Sequence, residues 1–467
     1  MNILKRIKES QETDISNMVC DLTTMFKDIK VLGKESKSDS FQAIVKIKEP
    51  SSYAILEDYI KHTKESTLFL KMGPDLVSSG DNSTYIERSV YKYCNGLLND
   101  MRTPNIMRYI FSFECNNVTE FLKTFPQPAR ERIRAIEDDK RTMVSKINFI
   151  ALELGKGKEL EKSSTTGTSG LMSDMVLNEY DFFAIMIQVC YTLAELNLAD
   201  IRHNDLHLGN VWVDILPRAQ RMIFMPFDKE YFVIETKYVP KIYDFDRAAF
   251  VVAGAPENWV LTEWGCPDFG LCSNKNPAFD LLILVSILDE YYSTDNKYGR
   301  YGTKMPFIKK FVNAVVRNKK LLDPSCCKFP GRACEQYKTG GEWKCKHNYV
   351  IPPGDVYLFE DLWRKTTIFD AFKVSKLETK DLPTNIALDS SSMPSRVFQT
   401  KFYISQRVPG SPIQVANSLI PGAIRMEIKT APKRKFSTTK GARTSKRARV
   451  LSPKKQIILP RIASPPS

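Results

Sequence analysis

Ile201-Arg202-His203-Asn204-Asp205-Leu206-His207-Leu208-Gly209-Asn210-Val211 is the stretch on which the fold turns. A carboxylate, Asp205, is followed five positions later by a carboxamide, Asn210. The segment lies between a long apolar helix pattern and a short run of β-formers, so it reads as a loop. Oxygen donors at this spacing suit a base and a metal ligand arranged around a phosphate. Farther on, Lys241-Ile242-Tyr243-Asp244-Phe245-Asp246 reads as an apolar strand ending in a second carboxylate. His203 reads as a packed, hydrogen-bonded brace rather than a proton carrier.

Working outward, the pattern is α+β. Residues 1–28 are polar with a weak helical pattern and read as an N-terminal extension. Residues 29–154 are mainly β with one helix. Lys30-Val31-Leu32 and Phe41 to Ile47 flank a Gly/Ser/Lys loop, and Thr67 to Met72 and Asn148 to Leu154 are further strands. The helix runs from Ser83 to Asn99, with Ile86, Val90, Tyr93 and Leu97 on one face. Residues 155–375 turn helical. Helices are expected at Glu179 to Asn197, Pro277 to Tyr292, Phe307 to Val315 and Val356 to Trp363. Short strands, Val211 to Val213 and Phe232 to Ile234, flank a hairpin-like excursion. Residues 376–427 read as a Ser/Pro-rich linker and 428–467 as a disordered tail. A β-rich half, a bend and a helical half make a two-lobed arrangement with its cleft at the bend.

The 467 residues carry a net charge of +14. Twelve basic residues and no acid lie from Lys429 onward, so the body is nearly neutral and the tail is a polycation. Such a tail suits nucleic acid, an acidic partner or a nuclear import signal. The longest clean apolar run, Leu281 to Leu288, is too short to span a bilayer and the first residues lack a signal-peptide pattern, so a soluble intracellular protein is expected. On that reading the ten cysteines are reduced thiols. Cys326, Cys327, Cys334, Cys345 and His347 could ligate zinc or sit in an irregular insertion. They lack the paired knuckles that would decide it.

Phosphoryl transfer asks the protein for positioned metal ions, neutralised phosphates and a nucleophile held in line. Asp205 is the candidate base, and Asn210 and Asp244 the candidate Mg2+ ligands. Lys71, closing a strand, would hold the α- and β-phosphates, and Glu87 would fix that lysine by an ion pair. On these residues the chain resembles the eukaryotic protein-kinase-like superfamily over about 29–300. The nearest look-alikes are divergent serine/threonine kinases of large DNA viruses of the iridovirus type, with haspin-like kinases next. The resemblance implies a two-lobed kinase fold and ATP- and Mg2+-dependent transfer to a serine or threonine of a protein substrate. If viral, the protein would work in host cytoplasm, nucleus or virion. The resemblance implies a glycine-loop phosphate cover from Leu32, Gly33, Ser36, Ser38 and Ser40. It implies an adenine-gripping hinge at Leu152, Glu153 and Gly155, and a buried brace for the catalytic loop at Asp280.

The departures are specific. The glycine loop keeps only Gly33, with Asp39 repelling phosphate. Asn204 stands where kinases usually have arginine, which implies activity without loop phosphorylation. His207 stands where many have lysine. Asp246 replaces a glycine and removes φ > 0 freedom there. A small-molecule kinase of the choline or aminoglycoside kind fits the His-x-Asp-x-His-x-x-Asn loop too, and a pseudokinase scaffold fits the damaged glycine loop.

Overall fold

A computed structural model describes residues 20–32, 40–49, 51, 53–77, 81–100, 102–160, 170–172, 174, 176–227, 230–250, 257–261, 276–292, 305–322, 336–339, 342–345, 351–374 and 396–399. All belong to the first of two compact units, Met1–Tyr403. The fold is mixed α+β with largely antiparallel sheets.

The first sheet contains β1 (Phe26–Leu32), β2 (Phe41–Ile47), β3 (Thr67–Leu76), β4 (Tyr109–Cys115) and β5 (Val144–Glu153), in the order β1-β2-β3-β5-β4. Alternation sets its faces. Phe41, Ala43, Val45 and Ile47 are buried with Leu68, Leu70 and Met72 in one hydrophobic cluster. Lys71 therefore points to the opposite face of β3, where helix α2 packs. Helices α1 (Ala54–Thr63), α2 (Ser83–Asn99), α3 (Val118–Thr124) and α4 (Gln127–Lys140) accompany this sheet. The sequence reading expected one helix here. Ala129, Ile133 and Ile136 of α4 are buried at helical spacing within a highly charged segment, and that thin stripe carries the helix. On α2 the buried face is Ile86, Glu87, Val90, Tyr91, Cys94 and Leu97, whereas the expected core residue Tyr93 is 41% exposed.

The second sheet is built on β7 (Val211–Phe227) and β8 (Glu230–Ile242), with β6 (Gly157–Glu159) on β7 and β11 (Lys373–Val374) on β8. Hairpin β9 (Gln336–Thr339) and β10 (Glu342–Cys345) stands apart, and β12 (Arg396–Gln399) pairs parallel to β7. The two short strands expected around an excursion are one long hairpin. Pro217, within β7, falls in the register shift between Ile215 and Gln220, where a missing ladder donor is tolerated. Helices α5 (Glu179–Leu198), α6 (Phe279–Tyr292), α7 (Pro306–Val315) and α8 (Phe359–Lys365) pack with this sheet in a second, larger cluster. Asn178 caps α5 by accepting the Asp181 N–H at 2.8 Å. Among the described residues α5 is the one helix long and apolar enough to cross a membrane, and 78% of that window is buried within the protein.

The N-terminal boundary differs from expectation. Leu22, Met25 and Phe26, assigned to an extension, are buried in the first cluster. Cys20 is disulfide-bonded to Cys115 at the end of β4, which corrects the reading of all cysteines as free thiols. Geometry brings the two together, and both are buried. The bond closes a loop with a sequence separation of 95. A loop of that length restricts the unfolded chain by about 4–5 kcal/mol in the chain-entropy account, with about 2–4 typically realised. Reductant is therefore expected to lower the melting temperature by several degrees, while a Cys20→Ser, Cys115→Ser double variant melts at the lower temperature with or without it. A wild-type melting curve unmoved by dithiothreitol would refute this. Of the proposed zinc group, only Cys345 falls among the described residues, in β10; Cys326, Cys327, Cys334 and His347 lie outside them.

Candidate active site

Lys71 sits in the middle of the first sheet, opposite Gln42 on β2 and Ile150 on β5. Its side chain is 7% exposed, and a buried ammonium needs partners. Glu87, 1% exposed and in the second turn of α2, supplies one, at 3.0 Å and 2.9 Å through its two oxygens. Asp244 supplies another through Oδ1, and Asp246 Oδ2 lies at 3.6 Å. Burial pulls the Lys71 ammonium down, but Asp244, Asp246 and Glu87 outweigh it and hold its pKa well above the usual value. Burial pushes Glu87 up to about 8 against the pull of Lys71. Asp244 stays below the ordinary carboxylate range; burial opposes this, and Lys71 prevails. Burial, with Asp244 adding to it, raises Asp246 to about 6.

Asp244 lies two residues past the end of β8. Its backbone N–H donates to the Tyr91 hydroxyl at 2.9 Å, one turn along α2 from Glu87. Phe245 is buried edge-on against Tyr91, with ring centroids 5.2 Å apart, and against His203 at 4.8 Å. Asp244 takes φ +69°, a left-handed conformation that aspartate tolerates. Asp246 does not, so the aspartate standing in for glycine there costs no backbone strain.

The loop around Asp205 is braced from below. Asp280, 2% exposed on α6, accepts the backbone N–H of His203 at 2.8 Å and of Asn204 at 2.7 Å. His203 Nε2 meets the Tyr243 carbonyl at 2.8 Å, and its Nδ1 accepts the Asp205 N–H at 3.3 Å. The ring is thus a spacer between loop and strand. Asn210 Nδ2 donates to the Asp205 carbonyl at 2.9 Å, and the Tyr243 N–H donates to the Asn210 carbonyl at 3.2 Å. Val211 pairs with Ile242, so Asn210 and Asp244 sit beside neighbouring ends of paired strands. The amide orientation leaves Asn210 with its oxygen for a cation, and Asp244 adds a carboxylate. Among the described residues no three His, Cys, Asp or Glu side chains converge as a metal cage. Two protein oxygens completed by phosphate and water are what Mg2+ commonly uses.

The residues expected to form the hinge are tightly held. Leu152 is buried. The Glu153 N–H donates to the Arg108 carbonyl at 2.9 Å, and its carboxylate accepts the Arg108 N–H at 2.9 Å. A Cβ added to Gly155 would meet Trp212 Nε1 at 2.1 Å, so the bend packs directly on the indole. Gly155→Ala is expected to cost about 1–3 kcal/mol, the usual penalty of overpacking. Trp212→Leu in the same chain should relieve part of it. Equal melting temperatures for Gly155→Ala and wild type would show that the contact is loose. Leu32 ends β1 opposite Gln42, and Ser40 precedes β2. Gly33, Ser36 and Ser38 lie outside the described residues.

The structure thus brings Lys71, Glu87 and Asp244 into direct contact, and joins Asp205 to Asn210 by a hydrogen bond. Sequence reasoning gave no role to Tyr91 or Arg247 and saw in Asp246 only a lost glycine. Asp246, next to Arg247, was visible as a departure from the kinase pattern, and that was the available signal. Neither the protein-family models nor the curated proteins searched contain a match to this chain.

Proposed function

We propose that the chain is an ATP- and Mg2+-dependent serine/threonine protein kinase with a two-lobed, protein-kinase-like fold. The observation that carries the reading is the convergence of Lys71, from the middle of the first sheet, with Glu87 of α2 and Asp244 just past β8. A buried lysine held between carboxylates from two other parts of the chain is costly to assemble for stability alone. It makes sense as a phosphate anchor. The Asp205–Asn210 loop, held on Asp280, supplies the second half of the site.

In this reading Lys71 holds the α- and β-phosphates, and Glu87 keeps it aimed. Asn210 and Asp244 hold Mg2+, which when bound neutralises the phosphate oxygens. Asp205 orients the acceptor hydroxyl and receives its proton. The adenine lies at the bend by Leu152, Glu153 and Gly155. The basic tail beyond Lys429 serves to hold nucleic acid or an acidic partner. The test is incubation with γ-labelled ATP and Mg2+ against a mixed protein extract. Label on serine or threonine supports the reading. Label found only on small molecules, or none at all, overturns it.

A further inference from the structure

We propose that Arg247 supplies the cation that holds the transferred phosphoryl group against Asp205. This rests on the phosphotransferase reading above and adds a catalytic residue to it.

The segment carrying Arg247 is stitched to the loop carrying Asp205. Arg202 and Ala249 exchange two backbone hydrogen bonds, of 3.1 and 2.9 Å. Asn204 Nδ2 donates to the Arg247 carbonyl at 3.1 Å, and the Ala248 N–H closes a turn on the Phe245 carbonyl at 3.0 Å. These bonds fix the backbone on both sides of Arg247. Its Nη1 then lies 3.0 Å from Asp205 Oδ1. The side chain is 31% exposed and Asp205 18%, so the pair borders solvent rather than the core. A guanidinium presents its donors in a planar fork, which can bridge a carboxylate and a phosphoryl oxygen at once.

The chemistry calls for such a group. A phosphoryl group in transfer spreads negative charge over three oxygens, and a carboxylate beside it repels that charge. Lys71 is engaged by Glu87 and Asp244 on the other side of the site. His207 Nε2 lies 3.9 Å from Asp205 Oδ2, but its Nδ1 accepts the Gly209 N–H at 3.0 Å. A ring accepting at that nitrogen is a neutral imidazole and brings no full charge. Arg247 brings one.

In the step, the acceptor oxygen bonds to the γ-phosphorus while the bond to the β–γ bridging oxygen breaks. The hydroxyl proton passes to the Asp205 carboxylate, and the bridging oxygen leaves with the electron pair on the nucleoside diphosphate. Arg247 makes and breaks no covalent bond. It balances charge on the three phosphoryl oxygens and keeps the Asp205 carboxylate in line.

The test compares wild type, Arg247→Ala, Arg247→Lys and the Arg247→Ala, His207→Lys double variant in the full chain. Arg247→Ala is expected to lower kcat about 100-fold or more, with KM for ATP within about threefold. Arg247→Lys keeps the charge but loses the fork and should fall about tenfold. Millimolar guanidinium should restore Arg247→Ala at least about tenfold where equal urea does not, and lysine at 207 should restore part of the loss. A purely structural arginine would respond to neither. Arg247→Ala turnover equal to or above wild type would overturn the proposal, as would failure of both rescues. If Arg247→Ala does not fold, Arg247→Lys decides, and an unchanged kcat overturns. A wild type inert towards ATP removes the phosphotransferase reading and this one together. An active wild type, an inactive Asp205→Ala and a fully active Arg247→Ala remove this one alone.

Discussion

Asp205→Ala is expected to cut turnover about 1000-fold or more while ATP still binds within about threefold of wild type. The split follows from what the side chain touches. Its carboxylate lies 3.0 Å from Arg247 and 3.9 Å from His207, away from the Lys71–Asp244 pair. The bonds that shape the loop use the Asp205 backbone: its carbonyl accepts from Asn210, and its N–H donates to His203. Both survive the substitution, as do the two bonds to Asp280. The lost ion pair is partly exposed and contributes about 0–1 kcal/mol to stability. The variant should therefore fold, bind nucleotide and fail in chemistry. Asp205→Asn sharpens the point, because it keeps the shape and a hydrogen bond yet has no basic carboxylate. Label transfer measured beside ATP affinity separates the two effects. Comparable turnover in wild type and Asp205→Ala would end the mechanism.

The loop 201–211 and the strand before Asp244 were legible because each couples a period to a chemical break. An apolar helix or strand stops, and a carboxylate stands where the pattern ends. The helices Ser83–Asn99 and Glu179–Leu198 were legible nearly to their ends for the same reason. What stayed hidden was tertiary. Nothing in the order of residues joins Cys20 to Cys115, because a distance between segments far apart in the chain is a property of the sheet. The length of the β7–β8 hairpin was hidden too, and Pro217 within it falls at a register shift. Asp246 looked like damage to a turn that needs glycine. The positive φ falls instead at Asp244, and Asp246 faces Lys71. Arg247 gave no periodic signal, since its role depends on a pair of backbone bonds between Arg202 and Ala249.

Lys241→Met is expected to be among the most destabilising single changes, at about 3–5 kcal/mol. Lys241 lies opposite Trp212 in the β7–β8 pairing. Its ammonium is 2.8 Å from Glu153 Oε1 and 2.8 Å from Asp214 Oδ2. The three side chains are only 13%, 24% and 12% exposed. Asp214 also accepts the Lys156 N–H at 2.6 Å and the Trp212 indole N–H at 3.1 Å. One cation thus ties the end of β5, the bend after it and the start of the second sheet. Methionine fills the stem but takes the ammonium from both carboxylates, leaving Glu153 with Arg108 alone. Burial would raise Glu153, yet Lys241 and Arg108 hold it below the ordinary carboxylate range. Its lowered pKa contributes stability above that range, which is lost as pH falls through it. Lys241→Met lacks the contribution, so the gap between the two proteins is widest at neutral pH and closes on acidification. Because Glu153 belongs to the proposed adenine grip, ATP affinity should fall here, whereas Asp205→Ala spares it. Denaturant melts at neutral and acid pH, run with nucleotide titrations, check both. A Lys241→Met protein as stable as wild type at pH 7 would mean the ammonium is not what joins the two sheets.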